Sequence, residues 1–157
     1  MIVEDVMVTS LTTATPGEPL QNIAGHMCLY RRPGIPVVKD KVNCELIGFI
    51  SEKDVLSVVT PSINDVMDNT YTHNTFQLME DRYFEIEHYE VESVMTTNVI
   101  SICPDVPIIK ALNKMIANKF RRIPVATKNE DSTKTLVGML SVGDIHKALF
   151  KKFIDGK

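Results

Sequence analysis

Two short phrases of this sequence bring together residue types that can hold a phosphate and a sugar. "LIGFISEKDVL" begins at Leu46 and "LVGMLSVGDIH" at Leu136. Each sets a serine, Ser51 or Ser141, three residues before an aspartate, Asp54 or Asp144, where a strand pattern gives way to a helix pattern. A helix N-terminus offers unpaired N–H groups and partial positive charge, which suit an anion. The serine hydroxyl adds a donor. The aspartate one turn in can accept hydrogen bonds from vicinal hydroxyls such as those of a ribose. Gly48 and Gly138, just upstream, let a ligand approach the backbone. Arg121 and Arg122, in "KFRRIPV", supply charge for a phosphate. The same residues also fit a plainer role. A serine N-cap with an acid three residues on resembles a capping box, and an aspartate in the first turn complements the helix dipole.

These phrases close a longer repeat. "VEDVM" at Val3–Met7 matches "VESVM" at Val91–Met95, an offset of 88 (91 − 3). At that offset Pro16 and Pro19 fall on Pro104 and Pro107, and "IPVV" from Ile35 on "IPVA" from Ile123. Two extra residues in the polar loop "TKNEDSTKT" raise the offset to 90 (138 − 48). Each copy predicts the order β-α-β-β-α: an extended stretch ("LTTAT", "VISIC"), a helix opened by Pro19 or Pro107, two strands, and a closing helix after the serine. One such unit is small for a hydrophobic core, and two packed together build one. The domain organisation is therefore residues 1–60 as the first repeat, 61–90 as a helical connector and 91–157 as the second repeat. Within the connector, "TFQLMEDRYFEIEHY" predicts an amphipathic helix with Phe76, Met79, Tyr83, Phe84 and Ile86 among acids. "NDVM" at Asn64–Met67 echoes the repeat's opening but does not continue it.

Composition narrows the function. The chain has 157 residues, 44% hydrophobic and 24% charged, with net charge −3. That is a globular, slightly acidic balance, and the lack of a basic block argues against a nucleic-acid partner. No apolar run approaches a membrane span, the N-terminus lacks signal-peptide features, and Cys28, Cys44 and Cys103 have no paired spacing. The expectation is a cytoplasmic protein with reduced thiols and no membrane association. Cys28 is expected in the core beside the helix's apolar stripe. His26, His73, His88 and His146 form no metal-ligand spacing, and P-loop, G-x-G-x-x-G, G-x-S-x-G and H-E-x-x-H motifs are absent. The chain is read as no enzyme, with no obligatory cofactor.

The double occurrence of "VE(D/S)VM…P…P", "IPV" and "G-h-h-S-x-x-D", where h is apolar, resembles a tandem pair of CBS domains, the cystathionine-β-synthase-type regulatory repeats also called a Bateman module. The resemblance covers nearly everything except the connector. It implies an α/β (α+β) fold of two pseudo-twofold-related β-α-β-β-α units packed sheet to sheet, with up to two adenosine-nucleotide sites in the cleft. It maps ribose binding onto Asp54 and Asp144, the phosphate neighbourhood onto Ser51 and Ser141, and the adenine flank onto Ile35, Pro36, Ile123 and Pro124. It further maps phosphate binding onto Arg121 and Arg122, and cleft lining onto Thr9, Thr12, Thr96 and Thr97. It implies sensing of AMP, ADP or ATP and modulation of a separate, unidentified protein, with homodimerisation through helix faces bearing Ile23, Met27, Ile108, Met115 and Ile116.

The copies differ at the rim of this motif. Pro33 and Gly34 precede Ile35 where Arg121 and Arg122 precede Ile123, Arg31 and Arg32 being displaced by two positions. Val8 stands where the second copy has Thr96, and Glu52–Lys53 where it has Val142–Gly143. These differences favour the Asp144 site as the stronger nucleotide binder. The other reading is a ligand-free dimerisation or interaction module with degenerate sites.

Overall fold

A computed structural model describes residues 1–60 and 74–156, with the side chains of residues 74–76 excepted. The 61–73 part of the connector, with the Asn64–Met67 echo and His73, lies outside the described residues, as does the Phe76 side chain. In order, the elements are α1 (Leu20–Tyr30), β1 (Gly34–Val38), β2 (Leu46–Ser51), α2 (Glu52–Val59), α3 (Asn74–Phe84), α4 (Ile108–Ala117), β3 (Arg122–Lys128), β4 (Lys134–Ser141) and α5 (Val142–Asp155). Short 3-10 turns at Glu85–His88 and Val91–Ser93 follow α3.

The chain forms two compact units, and neither is one contiguous stretch. One holds Met1–Thr12, Val38–Ile47 and Asn98–Lys157, and the other holds Thr13–Val37 and Gly48–Thr97. The cause is a reciprocal exchange of the two lead-ins. In the unit with the second repeat's helices, Val3 N donates to Val106 O at 3.0 Å and Glu4 N to Pro104 O at 2.9 Å. Val8 and Met139 exchange backbone bonds of 2.8 and 2.9 Å. In the other unit Val91 N donates to Glu18 O and Glu92 N to Pro16 O, both at 3.0 Å, and Thr96 and Phe49 exchange bonds of 2.8 and 2.9 Å. Each "VE(D/S)VM" segment thus docks on the other copy's helix and strand.

Close approach makes this docking possible. A Cβ on Gly138 would lie 2.6 Å from Met7 Sδ, and one on Gly48 would lie 2.5 Å from Met95 Sδ. The two glycines therefore accommodate a methionine side chain. This corrects the sequence expectation that they admit a ligand, because the space above each is already filled.

In the second-repeat unit β3 pairs antiparallel with β4, from Arg122 opposite Ser141 to Lys128 opposite Lys134. "VISIC" joins it only as a parallel bridge between Ile102 and Val125. The bonds are Ile102 N to Pro124 O and Ala126 N to Ile102 O. The next donor in that ladder is Pro104, which has no N–H, so pairing stops. The matching bridge of the other unit, Ala14 with Val37, meets Pro16 in the same way. The first strand of the expected β-α-β-β-α order is therefore a single bridge in each copy.

Val3, Ile102, Ala111, Met115, Ile123, Val125, Leu140 and Ile145 form the core of this unit. A smaller cluster unites matching positions of the two repeats: Val38 with Ala126, Leu46 with Leu136, and Leu11 with Val99 beside them. In the other unit α1 buries Leu20, Ile23, Ala24 and Met27 and packs against the Glu85–His88 turn and α2. The connector helix α3 packs on α2, and Ile86 in the following turn is buried while Tyr83 and Phe84 are exposed.

Two expectations are corrected by this packing. Ile23, Met27 and Met115 are buried, so they do not form an outer dimer face; Ile116 is exposed and Ile108 is half-buried. Cys28 is exposed rather than core, because it lies about 100° around α1 from Met27, past the edge of the buried stripe.

Both closing helices begin with a complete capping box. Ser51 Oγ accepts from Asp54 N at 3.4 Å, and Asp54 Oδ2 accepts from Ser51 N at 2.7 Å and from Ser51 Oγ at 2.6 Å. The second copy repeats this with Ser141 Oγ to Asp144 N at 3.1 Å and Asp144 Oδ2 to Ser141 N and Oγ at 2.9 and 2.6 Å.

The exchange predicts crosswise coupling. Gly138→Ala and Gly48→Ala should each destabilise by about 1–3 kcal/mol through overpacking. Removing Met7 should relieve Gly138→Ala and not Gly48→Ala, and removing Met95 the reverse. Double-mutant cycles on chemical denaturation read the coupling, and coupling of Gly138 to Met95 would exclude this docking. Ser51→Ala and Ser141→Ala should each cost about 1 kcal/mol, the usual value of an N-cap, measured as a shift in denaturation midpoint.

Candidate functional site

The backbone brings Arg121 and Arg122 to the start of α5. Val142, the first residue of that helix, donates its N–H to Arg121 O at 3.1 Å, and Arg122 is paired with Ser141 across the β3–β4 ladder. Both arginines are exposed, and among the described residues no carboxylate pairs with either. Immediately downstream Ile123 and Pro124 are buried in β3. The two guanidinium-bearing residues, the capped serine and Asp144 therefore share one corner of the hairpin.

The half-buried Asp144 divides its carboxylate. Both cap bonds fall on Oδ2, and among the described residues no hydrogen bond falls on Oδ1. Asp54 repeats the division. Capping thus fixes the orientation of each carboxylate and leaves one oxygen as an acceptor. The two roles considered for Ser-x-x-Asp are compatible.

The first repeat builds the same corner with other side chains. Glu52 N donates to Pro33 O at 3.0 Å, so Pro33 and Gly34 occupy the places of Arg121 and Arg122. Ile35 and Pro36 are buried like Ile123 and Pro124. Arg31 and Arg32 do not join this corner through the backbone. Arg31 is the left-handed C-cap of α1, with φ 50°, matching Lys119 at φ 56° after α4, and both arginines are exposed.

The exchange redistributes the threonines. Thr96 is bonded to Phe49 in β2, so it and Thr97 lie beside the Ser51–Asp54 corner. Thr9 follows Val8, which pairs with Met139 beside the Ser141–Asp144 corner. Thr12 is half-buried, one residue after Leu11 of the cluster around Val38 and Leu136. Thr96 and Val8 therefore enter opposite sites from the ones their sequence order suggests, and that one difference does not favour the Asp144 site.

Sequence reasoning missed Phe49. A Cβ on Gly34 would lie 2.6 Å from Phe49 Cε1 and 2.7 Å from Cζ. The signal was available as a paired difference: where one copy has Gly34 and Phe49, the other has Arg122 and Met139.

The sequence and fold are similar to those of known proteins. The chain is 25% identical over 143 residues to the CBS domain-containing protein YhcV of Bacillus subtilis, covering 91% of this chain and 81% of that one. Its fold is similar to that of CBSX2 from Arabidopsis thaliana, solved in complex with AMP, at 22% identity and TM-score 0.70, over 96% of each chain. It is also similar to the CBS domain pair of MJ0100, solved with 5′-methylthioadenosine and S-adenosyl-L-methionine, at 20% identity and TM-score 0.65, over 97% of this chain and 98% of that one. The CBS domain family matches residues 3–61 and 91–151. Two small sheets flanked by helices, matched by the family twice in tandem, place this chain in the CBS domain family as a CBS pair.

Proposed function

We propose that this CBS pair is a regulatory module that binds AMP, ADP or ATP at the Arg121–Arg122–Asp144 corner and modulates a separate protein. The observation that carries this reading is two arginines, with no carboxylate partner among the described residues, beside a capped helix N-terminus whose aspartate has one oxygen that takes no hydrogen bond from those residues. In it, Asp144 Oδ1 takes a ribose hydroxyl and Arg121, Arg122 and Ser141 take phosphate oxygens. Ile123 and Pro124 flank the adenine, and Thr9 and Thr12 line the approach. The corresponding set in the first repeat is Asp54, Ser51, Ile35, Pro36, Thr96 and Thr97. Adenosine ligands in the structures of CBSX2 and MJ0100 support the ligand class. A role as a sensor rather than a catalyst, in the cytoplasm and as a homodimer, belongs to the same reading. Among the described residues no helix is long and apolar enough to cross a membrane.

The completeness of both capping boxes favours a second reading, in which Ser-x-x-Asp only starts helices and the chain is a ligand-free dimerisation module. Asp144→Asn separates the two. The amide oxygen can still accept the cap bonds, while the other position becomes a donor and no longer accepts from a ribose. Calorimetric titration with AMP should show affinity falling tenfold or more, as expected for a charged hydrogen bond worth about 1.5–3 kcal/mol, with the melting temperature little changed. Arg122→Ala should weaken AMP and ATP and leave S-adenosylmethionine unaffected, because a sulfonium gains nothing from a guanidinium. Absence of any adenosine-ligand heat with the unmodified chain would leave the dimerisation module.

A further inference from the structure

The two repeats treat one backbone position in opposite ways. The bonds from Glu52 N to Pro33 O and from Val142 N to Arg121 O make Gly34 the equivalent of Arg122. In the second repeat that position carries an exposed guanidinium. In the first, the ring of Phe49 lies so close to Gly34 that a Cβ would stand 2.6 Å from Cε1. No side chain fits at residue 34 while the ring is there. Met139 occupies the place of Phe49 in the second repeat (139 − 90 = 49), and its unbranched, flexible chain leaves room for Arg122. Glycine and phenylalanine are thus one feature: the aromatic ring fills the space that a Cβ at residue 34 would need.

Phe49 is only half-buried, and its strand runs into the Ser51–Asp54 corner two residues later. The first two residues of α2 are the exposed Glu52 and Lys53, where α5 has Val142 and Gly143. A phosphate here would find no guanidinium in register, and a Glu52 carboxylate beside the helix N-terminus that the Lys53 ammonium offsets only in part. A neutral apolar group packs on the ring. A positive charge is attracted to the ring face and to the Glu52 and Asp54 carboxylates.

We propose that the Phe49–Gly34 pair makes the first-repeat site selective for an adenosine ligand that lacks a phosphate and is neutral or positively charged at its 5′ end. The proposal rests on the reading of this chain as an adenosine-ligand module. It gives the two sites of one chain different ligand classes, a phosphorylated nucleotide beside Arg122 and a phosphate-free nucleoside beside Phe49.

Calorimetric titration of the full chain with AMP, 5′-methylthioadenosine and S-adenosylmethionine tests it. In Asp144→Asn, where the second-repeat site is weakened, 5′-methylthioadenosine or S-adenosylmethionine should bind at least tenfold more tightly than AMP. Adding Gly34→Arg with Phe49→Met, the residues of the second repeat, should reverse that order, with a cooperative melting curve verifying the fold. Phe49→Leu on the same background serves if that combination does not fold: it should weaken the phosphate-free ligand several-fold and leave AMP unchanged. AMP binding in Asp144→Asn as tight as the other two probes overturns the selectivity while the adenosine reading stands. Binding of AMP alone to the unmodified chain, at one site, does the same. No heat from any of the three probes with the unmodified chain overturns both.

Discussion

The docking of each "VE(D/S)VM" segment on the other repeat is the constraint on which the rest depends. Val3 and Val91 are both fully buried, and each turn closes locally, with Met7 N bonded to Val3 O and Met95 N to Val91 O at 2.9 Å. The turn aims the methionine at a bare glycine backbone on the strand that ends in the capping serine. Two residues before that serine, the lead-in pairs with the strand, at Met139 in one case and Phe49 in the other. The strand end is therefore held on one edge by its hairpin partner and on the other by the exchanged segment. The proposed ligand corner, at a strand-to-helix junction, needs such support, because a site held by exposed loops loses the geometry that makes its donors and acceptors converge.

Much of this was legible in the sequence because a repeat announces correspondence. The offset of 88 identified equivalent helices, strands and caps, and β1–β2 and β3–β4, with the serine N-caps, stand where the pattern placed them. A correspondence is not a contact. The offset pairs Met7 with Met95 and Gly48 with Gly138, and it is silent on whether Met7 meets Gly48 or Gly138. Only the structure shows the crosswise choice. Helical periodicity was sharp at Leu20, Ile23, Ala24 and Met27 but failed one residue later at Cys28, because a stripe of that spacing has an edge and an apolar residue type does not say on which side it falls. The extended stretches "LTTAT" and "VISIC" each join their sheet through one bridge. Their β-branched content was plain, yet the following prolines end the ladder after one bridge.

In the proposed reading, capping and ligand binding by Ser-x-x-Asp are sequential rather than rival. A free carboxylate at the first turn of a helix has rotamer freedom that a ligand must remove on binding. Two bonds from the serine to Oδ2 remove it beforehand. The cap is therefore what aims Oδ1, and the same device is present in both copies whatever each binds.

The internal comparison separates frame from rim. Valine, methionine, glycine, serine, aspartate and the strand proline recur at matching places because each is fixed by a steric or hydrogen-bond requirement of the frame. Gly48 and Gly138 must clear a methionine, Ser51 and Ser141 must cap, and Pro36 and Pro124 still accept a bond at their carbonyls from Ala14 and Ile102. The rim carries none of these requirements. Arg121–Arg122 against Pro33–Gly34, Met139 against Phe49, and Val142–Gly143 against Glu52–Lys53 all lie at exposed or half-buried positions. Most single changes there cost the frame little, but residue 34 can gain a side chain only where the Phe49 ring shifts or is replaced. The chemistry of each corner can thus diverge in coupled steps while the exchanged lead-ins and capped helices keep both corners in the same geometry.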